Sequence, residues 1–316
     1  MVHTNKKILP NFIIAGAPKC GTSSVFSWLS DHPEVCGSQP KETFYLIDRE
    51  HPTYKLGQSY NGENLEGYDN YFQHCNSSAK IFFEATTHYI YQNITIEILS
   101  KLNSQPQILF ILRKPEDRVY SYFQYYLNNK AKLKVDLTFT EYVHLIKNES
   151  LETFTQNYCT DKSSGYILYH NINHSCYVNY LEKWKSALPD RIHILLFEDM
   201  LKDRRNFMKQ ISNICDIDSN FFDNYTFPHK NATYGIKNRQ IHRWSYAIAD
   251  FFKDSPFKEQ IKRLYLKLQS RKIEQKNAND LDTIKELAQY FISFNHKLST
   301  MFDLDLSIWQ KNRLSI

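Results

Sequence analysis

The sequence predicts an α/β fold: a central parallel β-sheet flanked by helices, with a P-loop-like nucleotide-binding turn. Three observations carry this. Short apolar runs recur at 12–15, at 107–112 (QILFIL) and at 191–197 (RIHILLF), as expected of strands covered on both faces. Stretches with helical spacing lie between them, an alternation that implies strand–helix crossovers and parallel pairing. The first run leads into a turn bounded by Gly16 and Gly21, then into the hydroxyl-rich helix start Thr22-Ser23-Ser24. In such sheets ligands bind beyond the carboxyl ends of the strands.

Phe12 to Ala15 form the first strand, and the helix after it stops at Asp31-His32-Pro33. Residues 36–74 are polar, aromatic and turn-rich without a clear period, an irregular segment that lines something. Ile81-Phe82-Phe83-Glu84 is a short strand, and residues 89–102 have helical spacing through Ile94, Ile98 and Leu102. QILFIL ends at Arg113-Lys114-Pro115, and a helix runs from about Glu116 through Tyr126. Residues 130–160 are charged and weakly helical. Tyr177 to Leu188 is amphipathic, with Trp184 and Tyr177 expected to pack the helix on the sheet. After the strand 191–197 a helix covers 204–215, and 224–240 is an exposed basic loop containing His229, Lys230 and Asn231. From about 241 the chain is mostly helical. No repeat and no linker separates a second domain, so one domain over 1–316 is expected.

With 42% hydrophobic and 23% charged residues, the composition is that of a soluble globular protein. The net charge of +5 comes from 39 basic and 34 acidic residues without a basic block or tail, which argues against a nucleic-acid binder. It suits an anionic ligand. No apolar run is long enough to cross a bilayer, and the first residues lack a secretory signal. A cytoplasmic protein is therefore expected. The cysteines Cys20, Cys36, Cys75, Cys159, Cys176 and Cys215 lack C-x-x-C spacing, which argues against a zinc site. Free thiols are expected, with Cys159–Cys176 as a pair in an oxidising compartment.

The turn is nearly a nucleoside-triphosphate P-loop, G-x-x-x-x-G-K-[ST]. Gly16 and Gly21 have the spacing, but Thr22 stands where the lysine belongs, and the lysine has moved to Lys19. Helix amides and hydroxyls at 22–24 favour an anion; the same hydroxyls would also serve as a plain N-cap. A lysine before the second glycine places its charge elsewhere along a phosphate chain than a kinase lysine does. Arg113 follows a strand directly, and Ser121 lies on the next helix. Alone they read as an ordinary surface arginine and serine. Beside an anion loop one strand away they suit a second phosphate, because guanidinium binds phosphate as a fork.

Together these features resemble sulfotransferases that use 3′-phosphoadenosine-5′-phosphosulfate (PAPS), above all the carbohydrate branch with the heparan sulfate enzymes and their bacterial relatives. The matching stretches are PKCGTSSVFSWLSDHPEV (18–35), KETFYL (41–46), EATTHYIY (84–91), ILFILRKPEDRVYSYFQYY (108–126) and YVNYLEKWKSALPDRIHILLFEDM (177–200). The resemblance implies a P-loop-like sulfotransferase fold and a PAPS-dependent transfer to a hydroxyl or amine of a sugar-containing acceptor. It places Lys19, Cys20, Gly21, Thr22, Ser23 and Ser24 on the 5′-phosphosulfate, and Arg113 and Ser121 on the 3′-phosphate. Lys237, Asn238 and Arg239 resemble the late segment that closes over the nucleotide; a solvated basic turn is the other reading. Glu42 matches the general base of the carbohydrate branch. The motif EATT departs from the family, with Ala85 where heparan-type enzymes often carry lysine. His88 is then a rival base, as other branches use histidine, or a structural residue. Glu198-Asp199 is implied to be a structural strand end. No metal is required. A P-loop kinase-like protein and a non-catalytic anion-binding module are the alternatives.

Overall fold

In the computed structural model the apolar runs at 12–15 and 107–112 form buried strands in the middle of a parallel sheet, and the run at 191–197 forms its half-buried edge strand. Residues 8–76, 78–228, 235–242, 245, 265, 268–271 and 276–311 are described. His229, Lys230 and Asn231 of the basic loop lie outside them. Contacts divide the chain into two compact units: Met1–Lys114, Cys176–Asn231 and Ser293–Ile316 form the first, Pro115–Ser175 and Ala232–Ile292 the second. The second is assembled from two separated stretches, so no single linker marks it in sequence.

The first unit contains strands β1 (Phe12–Gly16), β2 (Val35–Gly37), β3 (Ile81–Glu84), β4 (Gln107–Leu112) and β5 (Ile192–Leu196), in the order β2-β3-β1-β4-β5. Every pairing is parallel. All five residues of β1 are buried, as its unbroken apolar sequence requires of a central strand. Strand β2 is an addition to the expected set: three residues on the sheet edge are too short for any periodicity.

Helix α1 (Thr22–Ser30) follows β1, and α2 (Asn93–Lys101) lies between β3 and β4. The helical spacing read over 89–102 is divided into a 3-10 turn, Thr87–Tyr91, and α2. The Asp48 carboxylate accepts the N–H groups of Asn93 (3.0 Å) and Ile94 (2.7 Å), so the start of α2 is satisfied by a residue distant in sequence.

The second unit has α3 (Pro115–Gln124), which passes into a π-turn at Tyr125–Asn129, then α4 (Phe139–Asn148), α5 (Leu151–Tyr158) and α6 (Lys162–Tyr169). Two of these occupy the stretch read as weakly helical. Their caps are local: Thr138 and Glu141 form a capping box on α4, and Ser150 caps α5. Arg118 on α3 is fully buried and donates to Asn171 Oδ1 (3.2 Å) and Ser175 Oγ (2.6 Å).

Back in the first unit, α7 (Val178–Ala187) packs on the sheet through Trp184. Its ring meets Phe110 edge-on at 5.1 Å, and its Nε1 donates to the Ile90 carbonyl at 3.1 Å. Helices α8 (Phe197–Lys202) and α9 (Arg204–Cys215) follow β5. Among the described residues, no helix is long and apolar enough to cross a membrane.

Cys36 and Cys75 are joined in a disulfide, whereas Cys20, Cys159, Cys176 and Cys215 are buried free thiols. This corrects the expectation of free thiols throughout, and the pair Cys159–Cys176 is not formed. The physical reason is a long excursion. The chain leaves edge strand β2 at Gly37, makes the 3-10 turn Asp69–Phe72, and returns to where it left. His74 Nε2 lies 3.1 Å from the Gly37 carbonyl, and the Gln39 N–H donates to the Tyr71 carbonyl at 3.0 Å.

Candidate active site

The carboxyl ends of three adjacent strands, β3, β1 and β4, lead into the segments that the sequence singled out. After β1, Lys19 and Gly21 take left-handed backbone conformations, at φ 69° and 79°. Turns of this kind gather successive amides on a concave face that suits an anion. Ser24 and Val25 N–H donate to the Gly21 carbonyl, so intrahelical bonding starts there and the earlier helix amides have no intrahelical acceptor. Lys19, Ser23 and Ser24 are half-buried; Thr22 and Cys20 are buried. Cys20 Sγ turns inward, 3.9 Å from Tyr177 Oη, so the residue can offer a ligand only its backbone.

Gly21 is required twice over. A Cβ at this position would stand 2.6 Å from Met200 Cε and 2.9 Å from the Phe197 ring, in a backbone conformation that side chains disfavour. Gly21→Ala is expected to destabilise the first unit by about 1–3 kcal/mol, read as a lower urea midpoint.

Arg113 leaves β4 beside this turn. Its Nη1 donates to the Lys19 carbonyl at 3.5 Å, and its guanidinium lies over the Phe197 ring, 4.9 Å from the centroid. Tyr177 holds the Arg113 backbone: its hydroxyl donates to the Arg113 carbonyl (2.7 Å) and accepts the Arg113 N–H (3.4 Å). Tyr177 therefore does more than the packing that the sequence suggested. Nothing in the sequence marks this, since a buried tyrosine and a bonded one look alike.

Glu198, next to Phe197, is also structural. It accepts the Lys114 N–H (3.0 Å) and Trp309 Nε1–H (2.8 Å), and burial raises its pKa.

Beyond β3, the segment 84–87 lies against residues 41–44. The Ala85 N–H donates to the Lys41 carbonyl at 3.0 Å. Lys41 Nζ donates to both the Ala85 carbonyl and Glu42 Oε1, each at 2.9 Å. An ammonium thus reaches the backbone of Ala85, the position at which the resemblance to heparan-type enzymes implies lysine. Thr87 Oγ1 lies 3.4 Å from Glu42 Oε1. The Glu42 side chain is 32% exposed, whereas His88 is 5% exposed among the rings of Phe44, His51 and Tyr91.

The remaining predicted residues belong to the second unit. Ser121 is half-buried on α3. Lys237 Nζ donates to the Leu268 carbonyl (2.8 Å), Asn238 Oδ1 accepts the Ile241 N–H (3.0 Å), and Arg239 Nε donates to Asn128 Oδ1 (3.3 Å). All three contribute to the local structure of this turn.

A five-stranded parallel sheet flanked by helices, with a displaced-lysine turn at its central strand, defines an α/β protein of P-loop-like build. The sulfotransferase domain profile matches residues 9–247, and the chain belongs to that family. Similar proteins include the bifunctional heparan sulfate N-deacetylase/N-sulfotransferase 1 of Caenorhabditis elegans, 26% identical over 64% of this chain and 21% of its own. The membrane-associated sulfotransferase kil1 of Dictyostelium discoideum is 23% identical over 78% of this chain and 64% of its own. The chain thus spans about a fifth of the bifunctional relative. A sulfotransferase from Alicyclobacillus acidocaldarius shares the fold, with a TM-score of 0.65 at 18% identity over 96% of this chain and 99% of its own.

Proposed function

We propose that this protein transfers a sulfuryl group from PAPS to a hydroxyl or amine of a sugar-containing acceptor. The observation that carries the reading is the Lys19–Gly21 turn with Arg113 laid against it. The donor set fits PAPS: residues 16–24 offer a lysine, three hydroxyls and helix amides, and contain no carboxylate. Lys19 would hold the bridging oxygen and neutralise the charge that grows on the leaving phosphate. Thr22, Ser23, Ser24 and the amides of Cys20 and Gly21 would hold the phosphosulfate oxygens. Arg113 is assigned the 3′-phosphate; Ser121, Lys237, Asn238 and Arg239 carry donor roles from the sequence resemblance. PAPS supplies an activated sulfuryl group.

Glu42 is the proposed base, taking the acceptor's proton as its oxygen or nitrogen attacks sulfur in line with the leaving phosphate. Its partial exposure supports this, because a base must reach the acceptor. The lower exposure of His88 favours Glu42 over this rival base. A sugar acceptor is consistent with relatives named for heparan sulfate.

Thermal unfolding tests the donor half. The product nucleotide, 3′-phosphoadenosine-5′-phosphate (PAP), should raise Tm, with a stabilisation of about 2.7 kcal/mol at a hundredfold excess over Kd. ATP with magnesium should not. The reverse pattern overturns the reading in favour of a kinase-like nucleotide binder. An acceptor screen with labelled PAPS tests the other half.

A further inference from the structure

Glu84 ends β3 with its side chain fully buried. Four hydroxyls donate to this one carboxylate. Thr43 Oγ1 (2.7 Å) and Thr86 Oγ1 (2.6 Å) bond Oε2, while Tyr89 Oη (3.0 Å) and Tyr68 Oη bond Oε1. Burial raises the Glu84 pKa, and these four hydroxyls oppose that rise by donating to the charged form; once ionised, the carboxylate only accepts, and a hydroxyl has one proton and two lone pairs. With their protons on Glu84, the hydroxyls present lone pairs elsewhere.

Those lone pairs meet four consecutive backbone amides. Thr86 Oγ1 accepts the N–H of Thr43 (2.9 Å) and of Phe44 (3.2 Å). Thr43 Oγ1 accepts the Tyr45 N–H (3.2 Å), and Tyr89 Oη accepts the Leu46 N–H (3.1 Å). Residues 43–46 lie outside every helix and strand, so no ladder bonds these amides. One buried carboxylate thus aims three hydroxyls at four amides. The residue immediately before them is Glu42.

We propose that Glu84 is a positioning residue for the transfer site. Through Thr86, Thr43 and Tyr89 it sets the backbone of residues 43–46 and so places the Glu42 carboxylate, without itself touching a reactant. This rests on the reading of Glu42 as the base. Burying a carboxylate costs several kcal/mol, and an amide side chain of the same shape would avoid that cost. Glutamine, however, carries an NH2 group that cannot accept. The hydroxyls facing that NH2 group would have to reverse, and at the Oε2 position this takes from Thr86 Oγ1 one of the two lone pairs that hold the Thr43 and Phe44 N–H groups. Phe44, at φ 51°, has a conformation that such bonds must maintain.

The test uses Glu84→Gln, Thr86→Val and Thr86→Ser in the full chain. Hydrogen exchange of amides 43–46 reads the positioning with no acceptor needed. Exchange there should quicken about tenfold or more in Glu84→Gln and Thr86→Val, the size of one lost charge-assisted bond. Thr86→Ser keeps the hydroxyl and should restore slow exchange. In transfer from PAPS to an acceptor found by the screen, Glu84→Gln should lower kcat and leave the KM for PAPS unchanged. The PAP thermal shift should persist in all three variants. Unchanged exchange at 43–46 in Glu84→Gln overturns the proposal, as does an unchanged kcat. Loss of the PAP shift in the wild type would instead remove the donor reading, and the exchange result would still decide the role of Glu84.

Discussion

Glu42→Gln is expected to lower kcat by about 10²–10⁴-fold, the usual contribution of a general base. Glutamine keeps the shape of the side chain, and its amide oxygen can still accept from Lys41 Nζ and Thr87 Oγ1. Local structure should therefore survive, and only proton acceptance is lost. The KM for PAPS and the PAP thermal shift should hold, because the donor turn follows a different strand. Labelled transfer at saturating PAPS measures the effect. If Glu42→Gln transfers at the wild-type rate while His88→Gln does not, the base is His88 and the buried ring must open to the acceptor.

Lys19→Met should lower kcat by about 10²–10³-fold, the loss found when one charge-stabilising donor is removed. The substitution is a clean one. Lys19 already has a Cβ in a left-handed conformation, so methionine adds little backbone strain. Arg113 donates to the Lys19 carbonyl rather than to its side chain, and that contact should remain. In the proposed role the ammonium would act mainly on charge that develops in the transition state. The fall in kcat should thus exceed the rise in KM for PAPS. Equal kcat with a raised KM would mean that Lys19 only binds the ground state.

The strands were legible because β1 and β4 are nearly unbroken apolar runs, as buried central strands must be, and β3 and the half-buried edge strand β5 are mostly apolar. Strand β2 was not, since Val35-Cys36-Gly37 has no length to show a pattern. The helices α4 and α5 were under-read, although Thr138 and Glu141 carry a capping-box signature that sequence can reveal. The Lys19 turn was visible through its glycine spacing. What supports it was not, because Tyr177 and Phe197 are distant in sequence and their residue types are common. The same holds for Glu84, which the sequence places at the ligand-binding end of a strand without showing what it bonds. Its partners Thr43, Tyr68 and Tyr89 are gathered only by the fold. Apart from Cys36 and Gly37 in β2 and the 3-10 turn Asp69–Phe72, residues 36–74 are as irregular as the sequence suggested, while the groups that hold them in place could not be inferred from composition.

The Cys36–Cys75 bond encloses that whole irregular stretch, including Glu42 and Tyr68. Such bonds persist in secreted and lumenal surroundings, whereas glutathione keeps cytosolic thiols reduced. The covalent closure therefore weighs against the cytoplasmic expectation drawn from the first residues. It also makes the choice of expression host a structural variable. Protein produced in a reducing cytosol, or stored with a strong thiol reductant, would carry the 36–75 excursion as an open loop, at a cost of about 2–4 kcal/mol in closure. An acceptor screen run on such material would sample a looser base segment, so the redox state of these two sulfurs should be established before any negative result is read.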